Sequence, residues 1–489
     1  MTRLPALIQA VASQYPDRIA LKGLDTQLSY QQMYRAAQAL SAQLQDQKIQ
    51  RVGLCGDNTV AWVLADLACL MAEVVCVPIP VFFSKSQTDH LIQRAGLDAL
   101  LFSDKAEPAQ SIGHGVWLRH LEVAPEAARM PAQTARITFT SGSTGTPKGV
   151  CLSNSQMAAT ALGLGQRLQA VPLPQHLCIL PLATLLENIA GVYMHLLLGA
   201  TVTVVPLGTL GMSGSSGLNV TQLIAGLNRH QPHSVILVPE LAAALVSAAE
   251  QGQLVTDNFS FLAVGGGRVS PELLARGRAA GLPLYEGYGL SECCSVVALN
   301  VPGAERAGTV GQPLEHLQVR VDNDGRILVR GNTHLGYLGD EPEPEVWLDT
   351  GDLGALDDDD FLTVNGRAKN LIITSFGRNI SPEWLESELV QAAGAVQAVV
   401  FGDAEPQPSA LLVIQDNREP EQVREVLAKL NARLPDYARL QNVYLRRQRF
   451  TQQEGHITAN GRPVRHQIQT DLPRLMAQAT PLFMQFSKP

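Results

Sequence analysis

A loop of hydroxyls and glycines followed by a single lysine is the part of the sequence best suited to bind phosphate. The loop contains Thr140, Ser141, Gly142, Ser143, Thr144, Gly145 and Thr146, and Lys148 comes directly after Pro147. Glycines let backbone N–H groups turn toward an anion, and hydroxyls add small hydrogen-bond donors. The spacing matches neither a Walker A loop nor a Gly-x-Gly-x-x-Gly fingerprint. An ordinary surface loop can share this composition, so the choice depends on the other motifs.

Four further stretches place polar residues where an apolar pattern stops. They are residues 287–292 (Gly-Tyr-Gly-Leu-Ser-Glu), 348–354 around Asp352, 366–382 from Gly366 to Pro382, and 455–462 ending at Arg462. Gly265, Gly266 and Gly267 also follow an apolar run directly. Carboxylates, hydroxyls, glycines and cations recur in these stretches, and such groups can hold a metal-bound polyphosphate and a sugar.

The elements that must position these residues follow from hydrophobic periodicity. In the first 300 residues, short apolar strands such as 97–102 alternate with helical segments, which predicts parallel sheets built from βαβ units. From about residue 307, short alternating runs flank Asn323-Asp-Gly, which predicts a small antiparallel sheet or barrel. After Arg367 a new alternating unit begins, so a domain boundary is expected near residues 366–369.

Composition restricts the class of protein. The 489 residues carry a net charge of −8 without a basic tract, which disfavours a nucleic-acid partner. The stretch 189–207 has no formal charge, but its pattern is a helix followed by a β-branched strand, so no transmembrane segment is expected. The N-terminus lacks a signal-peptide pattern, and seven scattered cysteines without Cys-x-x-Cys spacing favour a reduced, cytoplasmic protein.

In order and spacing, the five stretches resemble the adenylate-forming (acyl-activating, AMP-binding) superfamily. Residues 18–465 can be laid along its pattern, and phrases such as Pro181-Leu-Ala, Gly287-Tyr-Gly-Leu and Ile372-Ile-Thr-Ser are most similar to long-chain fatty acyl-CoA synthetases. The resemblance implies an α/β fold. It predicts a large N-terminal domain (1–366) of α/β subdomains plus a small β-barrel-like subdomain, a hinge (367–369) and a small mobile α+β C-terminal domain (370–489).

The resemblance also implies a two-step reaction. A small-molecule carboxylic acid attacks ATP to give an acyl-adenylate and pyrophosphate, and a thiol, usually that of coenzyme A, then displaces AMP. The implied cofactors are ATP, Mg²⁺ and coenzyme A, or the phosphopantetheine of an acyl carrier protein. The expected acid is a medium- or long-chain fatty acid or another apolar acid.

Each implied role falls on a residue that matches the family pattern. Lys148, with Thr140, Ser141, Gly142, Ser143, Thr144 and Gly145, is expected to wrap the β- and γ-phosphates, and Glu292 and Thr140 are expected to bind Mg²⁺. Tyr288, Gly265, Gly266 and Gly267 would face adenine, Asp352 the ribose hydroxyls and Arg367 the ribose or phosphate, while Gly289 and Ser291 complete the nucleotide-binding set. Lys369 matches the hinge, and Gly377 would line the path of the pantetheine thiol.

The sequence departs from the family pattern at the catalytic lysine, whose position falls on Arg462. Arginine keeps the positive charge, but its planar fork is longer and bulkier than an ammonium. Three outcomes follow: adenylation with altered geometry, slow adenylation with an intact thioester step, or a weakened homologue that only binds nucleotide or acyl groups. No lysine lies between Lys429 and Lys488 to replace it.

The expected acyl pocket is apolar. Its predicted residues are Thr184, Glu187, Tyr193 and Gly265, and the surrounding side chains are mostly aliphatic. The family's peptide-synthetase adenylation domains place an aspartate near this region to hold an α-amine, and none lies between residues 176 and 206. The resemblance therefore favours an aliphatic or aromatic acid over an amino acid. Region 308–331 lacks the extra segment that the family's fatty acyl-AMP ligases carry, and by this resemblance a thioester product is expected, with CoA and a carrier protein both left open as acceptor.

Overall fold

The computed structural model of the protein describes residues 3–122, 128–140, 148–213, 217–340, 346–376, 378–414, 418–458 and 462–483. The predicted phosphate-loop residues Ser141, Gly142, Ser143, Thr144 and Gly145 lie outside the described residues, and so does Gly377.

The α-helices of these ranges are α1 (Leu4–Gln14), α2 (Tyr30–Asp46), α3 (Val60–Ala72), α4 (Lys85–Ala95), α5 (Asn154–Arg167), α6 (Met194–Leu197), α7 (Val220–His230), α8 (Pro239–Glu250), α9 (Pro271–Ala279), α10 (Pro382–Ala393), α11 (Pro420–Arg433) and α12 (Arg465–Ala477). A π-helix (Glu187–Tyr193) directly precedes α6. Capping explains several helix starts, because Ser29, Ser84 and Ser153 each form a capping box with a glutamine three residues later.

The strands are β1 (Ile19–Lys22), β2 (Gln27–Ser29), β3 (Arg51–Cys55), β4 (Val75–Ile79), β5 (Ala99–Phe102), β6 (Gln110–Gly113), β7 (Val116–His120), β8 (Thr134–Thr140), β9 (Lys148–Ser153), β10 (Gln175–Cys178), β11 (Thr201–Val204), β12 (Met212–Ser213), β13 (Gly217–Leu218), β14 (Ser234–Leu237), β15 (Phe261–Val264), β16 (Leu284–Leu290), β17 (Ser295–Leu299), β18 (Gln312–Pro313), β19 (Gln318–Val321), β20 (Arg326–Arg330), β21 (Gly336–Tyr337), β22 (Leu348–Leu356), β23 (Leu362–Arg367), β24 (Ile372–Ile373), β25 (Asn379–Ile380), β26 (Gln397–Phe401), β27 (Ser409–Val413), β28 (Asn442–Arg446) and β29 (Thr480–Phe483).

The chain divides into two compact units. The first comprises residues 1–266, 275–319 and 329–348, and the second comprises 267–274, 320–328 and 349–489. Compactness alone therefore groups residues 349–366 with the C-terminal part of the chain. The hinge at residues 367–369 was predicted from movement of the C-terminal domain between the two half-reactions, and it stays a prediction.

Two large sheets build the first unit. One has the order β18-β17-β16-β15-β14-β10-β11-β1-β2, and the other has the order β21-β9-β8-β4-β3-β5-β7-β6. Their central strands are parallel, as predicted, whereas the outer pairs β16–β17, β8–β9 and β5–β7 are antiparallel. All five residues of β4 are buried, which is typical of a strand covered on both faces.

The second unit contains the hairpin predicted around Asn323-Asp-Gly. Strands β19, β20, β22 and β23 form a four-stranded sheet, and Asp357–Asp360 make the turn between β22 and β23. A further sheet has the order β26-β27-β28-β29. It packs with α10 and α11 around a core that includes Leu385, Leu412 and Leu427. The mixed α/β fold, with a larger part and a smaller one, confirms the predicted fold class.

One strand differs from the sequence prediction. The strand expected at residues 178–182 is Gln175–Cys178 instead, because the chain turns at Pro181. The uncharged stretch 189–207 is a helix followed by β11, as predicted. Across the described ranges, every helix is too short or too polar to cross a bilayer.

Candidate active site

The β8–β9 hairpin holds the two ends of the predicted phosphate loop. Thr140 ends β8, Lys148 begins β9, and the two residues are direct cross-strand partners. Lys148 is exposed and Thr140 is half-buried, while Ile137 and Phe139 anchor β8 in the core. The hairpin therefore presents a hydroxyl and an ammonium together at the end next to its connecting loop.

Tyr337 connects Lys148 with Glu292. Its strand β21 pairs antiparallel with β9, and Tyr337 lies opposite Val150. The Tyr337 phenol donates a hydrogen bond to Oε1 of Glu292 at 3.0 Å. The Lys148 ammonium nitrogen lies 4.9 Å from the centre of the Tyr337 ring, within cation–π range. The predicted phosphate lysine and the predicted Mg²⁺ ligand are thus brought to one place by a tyrosine.

A tight turn between β16 and β17 positions Glu292. Ser291, Glu292 and Cys293 form a 3₁₀ turn, and the Glu292 carbonyl accepts a hydrogen bond of 2.6 Å from the backbone N–H of His334. Gly289 allows this arrangement, because a Cβ there would lie 1.7 Å from the carbonyl oxygen of Ser295. The half-buried Glu292 carboxylate supplies the hard oxygen donors that Mg²⁺ prefers.

Sequence reasoning missed Tyr337 and His334. The two rings pack edge to face with centroids 4.7 Å apart, and both lie beside Glu292. They come from residues 332–337, a short run without periodicity. The nearest sequence signal was the Gly-Tyr pair at 336–337, but its pairing with β9 is a tertiary contact that no local pattern contains.

The predicted adenine residues lie at the ends of neighbouring strands. Tyr288 is half-buried in β16, opposite Ala298 of β17. Gly265 and Gly266 directly follow β15, which pairs with β16. A Cβ on Gly265 would lie 3.8 Å from the Leu186 side chain, so this loop is adjacent to the predicted acyl segment. Gly267 belongs to the second compact unit.

In the second unit, Asp352 and Arg367 form an ion pair. They are cross-strand partners on β22 and β23, with 2.8 Å between Arg367 Nε and Asp352 Oδ1. Arg367 also donates to the carbonyl of Thr350 at 3.1 Å. Asp352 is 5% exposed, and its backbone N–H donates to the Thr350 hydroxyl at 3.1 Å. The structure therefore brings the two predicted ribose-binding side chains together and fixes their orientation.

The predicted hinge and lid residues also lie in the second unit. Lys369 sits in a 3₁₀ turn, Ala368–Asn370, and partial burial together with the nearby Arg367 charge lowers its pKa. Arg462 is exposed, and its backbone exchanges hydrogen bonds with Thr458: Arg462 N–H donates to the hydroxyl and Thr458 N–H to the Arg462 carbonyl. The roles assigned to Lys369 and Arg462 remain predictions.

Two of the residues predicted to line the acyl pocket are placed differently. Glu187 and Tyr193 are both 0% exposed, so neither side chain lines an open pocket in this structure. The Glu187 carboxyl contacts His176 and the backbone of Leu180, and Tyr193 donates to Asp66 at 2.5 Å. Both lie in the π-helix, whose polar groups face inward. Only Thr184 and Gly265 of the predicted set remain partly accessible.

Comparison with known proteins supports the same family as the sequence motifs. The chain is 26% identical to the 2-succinylbenzoate–CoA ligase of Bacillus velezensis over 466 residues, covering 88% of this chain and 93% of that protein. It is 44% identical to the long-chain-fatty-acid–CoA ligase FadD15 of Mycobacterium bovis over 143 residues, which are 28% of this chain and 24% of that protein.

A solved structure shares the fold over nearly the whole chain. The anthranilate CoA ligase AuaEII, in complex with anthranoyl-AMP, aligns with a TM-score of 0.81 at 17% identity, covering 96% of this chain and 97% of that one. A family model described as AMP-binding enzyme matches residues 8–338, and one described as AMP-binding enzyme C-terminal domain matches residues 369–478. The chain therefore belongs to the AMP-binding enzyme family.

Proposed function

We propose that this protein is an AMP-forming acid–CoA ligase that activates an apolar carboxylic acid. The observation that carries the proposal is the contact set around Tyr337, which joins Lys148 on the phosphate hairpin to Glu292. The CoA ligases among its relatives support the same reaction class.

The chemistry requires these groups because both reactants are anionic. A carboxylate oxygen must form a bond to the α-phosphorus of ATP while the bond to pyrophosphate breaks, so the site has to neutralise charge and align the reactants. Lys148 supplies one positive charge at the end of the hairpin. Glu292 and Thr140 would hold Mg²⁺, which supplies further neutralisation of the phosphates when bound. Asp352 offers two acceptor oxygens for ribose hydroxyls.

The second half-reaction forms the thioester. A thiolate sulfur bonds to the acyl carbon of the adenylate, and AMP leaves with the electron pair of the broken C–O bond. Coenzyme A is the proposed thiol donor because the relatives are named CoA ligases. A phosphopantetheinylated carrier protein is the alternative acceptor to be tested.

The acid is proposed to be a monocarboxylic acid with an apolar body, aromatic or aliphatic. Residues 175–199 contain no lysine or arginine, and the nearby Glu187 is fully enclosed. A second carboxylate on the substrate would need a cation from elsewhere in the chain. The substrate panel should therefore include long-chain fatty acids, which carry one carboxylate, and 2-succinylbenzoate, which carries two.

The test is product formation. Purified protein is incubated with ATP, Mg²⁺, CoA and each acid of the panel, and acyl-CoA and AMP are quantified by mass spectrometry. The proposal predicts equal amounts of both products with at least one apolar acid and loss of both in Lys148→Ala. Thioester formed only on a carrier protein would refute CoA as the acceptor, and ADP in place of AMP would refute the adenylate route.

A further inference from the structure

A chain of hydrogen bonds runs through the interior of the first unit beside the predicted acyl segment. It joins Glu187, His176, Ser234 and His195, and none of the four is more than 2% exposed. The distances are 2.9 Å from Glu187 Oε1 to His176 Nε2, 3.0 Å from His176 Nδ1 to Ser234 Oγ, and 2.8 Å from Ser234 Oγ to His195 Nε2. His195 Nδ1 ends the chain 3.0 Å from the carbonyl oxygen of Ala190.

The contact between His195 and the Ala190 carbonyl determines where the hydrogens of this hydrogen-bond chain lie. A carbonyl oxygen only accepts, so His195 carries its hydrogen on Nδ1. A neutral His195 then accepts at Nε2, which requires the Ser234 hydroxyl to donate to it. The Ser234 oxygen in turn accepts from His176 Nδ1, and in a neutral imidazole this leaves His176 Nε2 as an acceptor. Its partner is Oε1 of Glu187, so that oxygen carries a hydrogen when His176 is neutral, whereas a protonated His176 would face a carboxylate.

The other oxygen of Glu187 agrees with this assignment. Glu187 Oε2 accepts a hydrogen bond of 2.8 Å from the backbone N–H of Leu180, as the carbonyl oxygen of a protonated acid would. Burial raises the pKa of Glu187 to about 8 and lowers the pKa of His176 to about 3. It also lowers the pKa of His195 and raises the pKa of the neighbouring Cys178 thiol. All four groups are therefore neutral near pH 7.

The carboxyl of Glu187 stabilises the loop of residues 180–186, which extends to the predicted site. It ties the π-helix to Leu180, and the chain between them carries Thr184 and then Leu186, whose side chain is next to Gly265. Asn58 holds the same loop by bonding the Leu180 carbonyl and the Leu182 N–H, both at 2.8 Å.

The opposite side of the π-helix is tied to the phosphate hairpin. Asn188 donates to Asp66 at 2.9 Å, and Tyr193 donates to the same carboxylate. Asp66 pairs with Arg136, a residue of β8 four positions before Thr140. Buried polar contacts of this kind favour one arrangement, because breaking any of them would leave a further buried group without a partner.

We propose that Glu187 acts as a protonated positioning residue: through the neutral chain to His176, Ser234 and His195 and through Leu180, it fixes residues 180–186 against Gly265. This assignment rests on the proposed function, because it names the residue that shapes the acyl side of the proposed site. The same arrangement requires a glycine at position 191, because a Cβ there would lie 2.1 Å from Glu187 Oε1 and 2.8 Å from His176 Nε2.

A metal ion is the competing explanation for this cluster. Within the part of the chain that the structure describes, the donor atoms of His176, Cys178 and Glu187 lie within 4.8 Å of one another. However, both Glu187 oxygens and both His176 nitrogens already have hydrogen-bond partners. The hydrogen-bond chain accounts for these contacts without an ion.

The first test is infrared difference spectroscopy of the full-length protein against Glu187→Gln near pH 7. The proposal predicts the C=O stretch of a protonated carboxylic acid in the wild type and its loss in the variant. A carboxylate band assigned to Glu187 would overturn the proposal. A tightly bound zinc ion at one per chain, lost in the variant, would overturn it as well.

The second test compares variants by thermal unfolding. Glutamine can donate to His176 and accept from Leu180 as the protonated acid does, so Glu187→Gln should unfold within about 2 °C of the wild type, whereas Glu187→Ala should lose about 5 °C or more. Gly191→Ala should behave like Glu187→Ala, whereas Gly165→Ala, a helical glycine with room for a methyl group, should not. Equal losses for Glu187→Gln and Glu187→Ala would overturn the proposal.

A buried glutamate elsewhere gives the matched control. Glu386 accepts hydrogen bonds of 2.8 and 2.7 Å from the guanidinium of Arg465, so it is paired as a carboxylate, and Glu386→Gln should lower the unfolding temperature.

In the enzyme assay, Glu187→Ala should raise KM for the acid about tenfold with a smaller change in kcat, while the glutamine variant restores KM. An unchanged KM in Glu187→Ala would refute positioning, whereas absence of any turnover in the wild type would refute the proposed function and leave the infrared result standing.

Discussion

The hydroxyl of Tyr337 donates to Oε1 of Glu292 at 3.0 Å, so the orientation of the predicted metal-binding carboxylate is set by a tyrosine from another strand. The ring of the same tyrosine lies 4.9 Å from the Lys148 ammonium. Two predicted cofactor-binding residues that are 144 positions apart in sequence thus share one supporting side chain.

Tyr337→Phe should raise the Mg²⁺ concentration needed for half-maximal activity about fivefold, because Glu292 loses one hydrogen bond while the ring remains against Lys148. Tyr337→Ala removes the ring as well and should have the larger effect, including a raised KM for ATP. Titration of Mg²⁺ at saturating acid measures both. Identical behaviour of the two variants would show that the hydroxyl and the ring do not act separately.

Lys148→Met should reduce the rate of adenylate formation on the order of 100-fold, because a preorganised positive charge at the phosphates is lost while the apolar stem is retained. Lys148 is exposed, so the unfolding temperature should stay close to that of the wild type. The rate is measured in single-turnover experiments with labelled ATP. A rate within twofold of the wild type would remove Lys148 from the phosphate site.

Asp352→Ala should weaken ATP binding about tenfold or more, because a buried acceptor for the ribose hydroxyls is lost. Asp349, three positions earlier on β22, is the control: it pairs with Arg326 on an exposed surface, at 2.8 Å. Asp349→Ala should leave ATP affinity unchanged. Isothermal titration calorimetry checks both variants, and equal affinities for Asp352→Ala and the wild type would contradict the assignment of Asp352.

The stability of Glu187→Gln relative to the wild type should increase with pH between about pH 5 and pH 8. Burial raises the pKa of Glu187 from 4.5 to about 8, so above its ordinary pKa the unfolded chain releases a proton that the folded chain retains. The stabilising contribution of the protonated acid is therefore present at low pH and is lost as pH rises toward 8. Glutamine cannot titrate, and contributions of histidines common to both proteins cancel.

Denaturant unfolding at several pH values measures this difference. A difference in unfolding free energy that stays constant with pH would show that Glu187 titrates normally in the folded protein. A difference that changes in the opposite direction would show that the folded state stabilises the carboxylate.

Local patterns were sufficient to predict the helices and strands around the site. The apolar run at 97–102 predicted a strand where the structure has β5, and Asn323-Asp-Gly predicted the hairpin between β19 and β20. The pairing of Thr140 with Lys148 is also local, because β8 and β9 are consecutive strands, although the strand after the loop was not predicted. Such features depend on residues close together in the chain.

Contacts between distant segments could not be predicted in the same way. Tyr337 reaches Glu292 only because β21 joins the edge of the β9 sheet, and nothing in residues 332–337 encodes that pairing. Glu187 was predicted to line the acyl pocket because it lies in the apolar stretch that matches this part of the family pattern. Its enclosure depends on His176, Ser234 and the close approach at Gly191, which come together only in the folded protein.

Arg462 bears on the central claim because the family pattern predicts a lysine at its position. The direct measurement is acid-dependent exchange of labelled pyrophosphate into ATP, with the wild type and Arg462→Lys tested on the same acid panel. Adenylation predicts exchange that requires both Mg²⁺ and an apolar acid, and a faster rate in Arg462→Lys. No exchange with any acid in either protein would contradict the account and indicate a homologue that binds nucleotide without activating an acid.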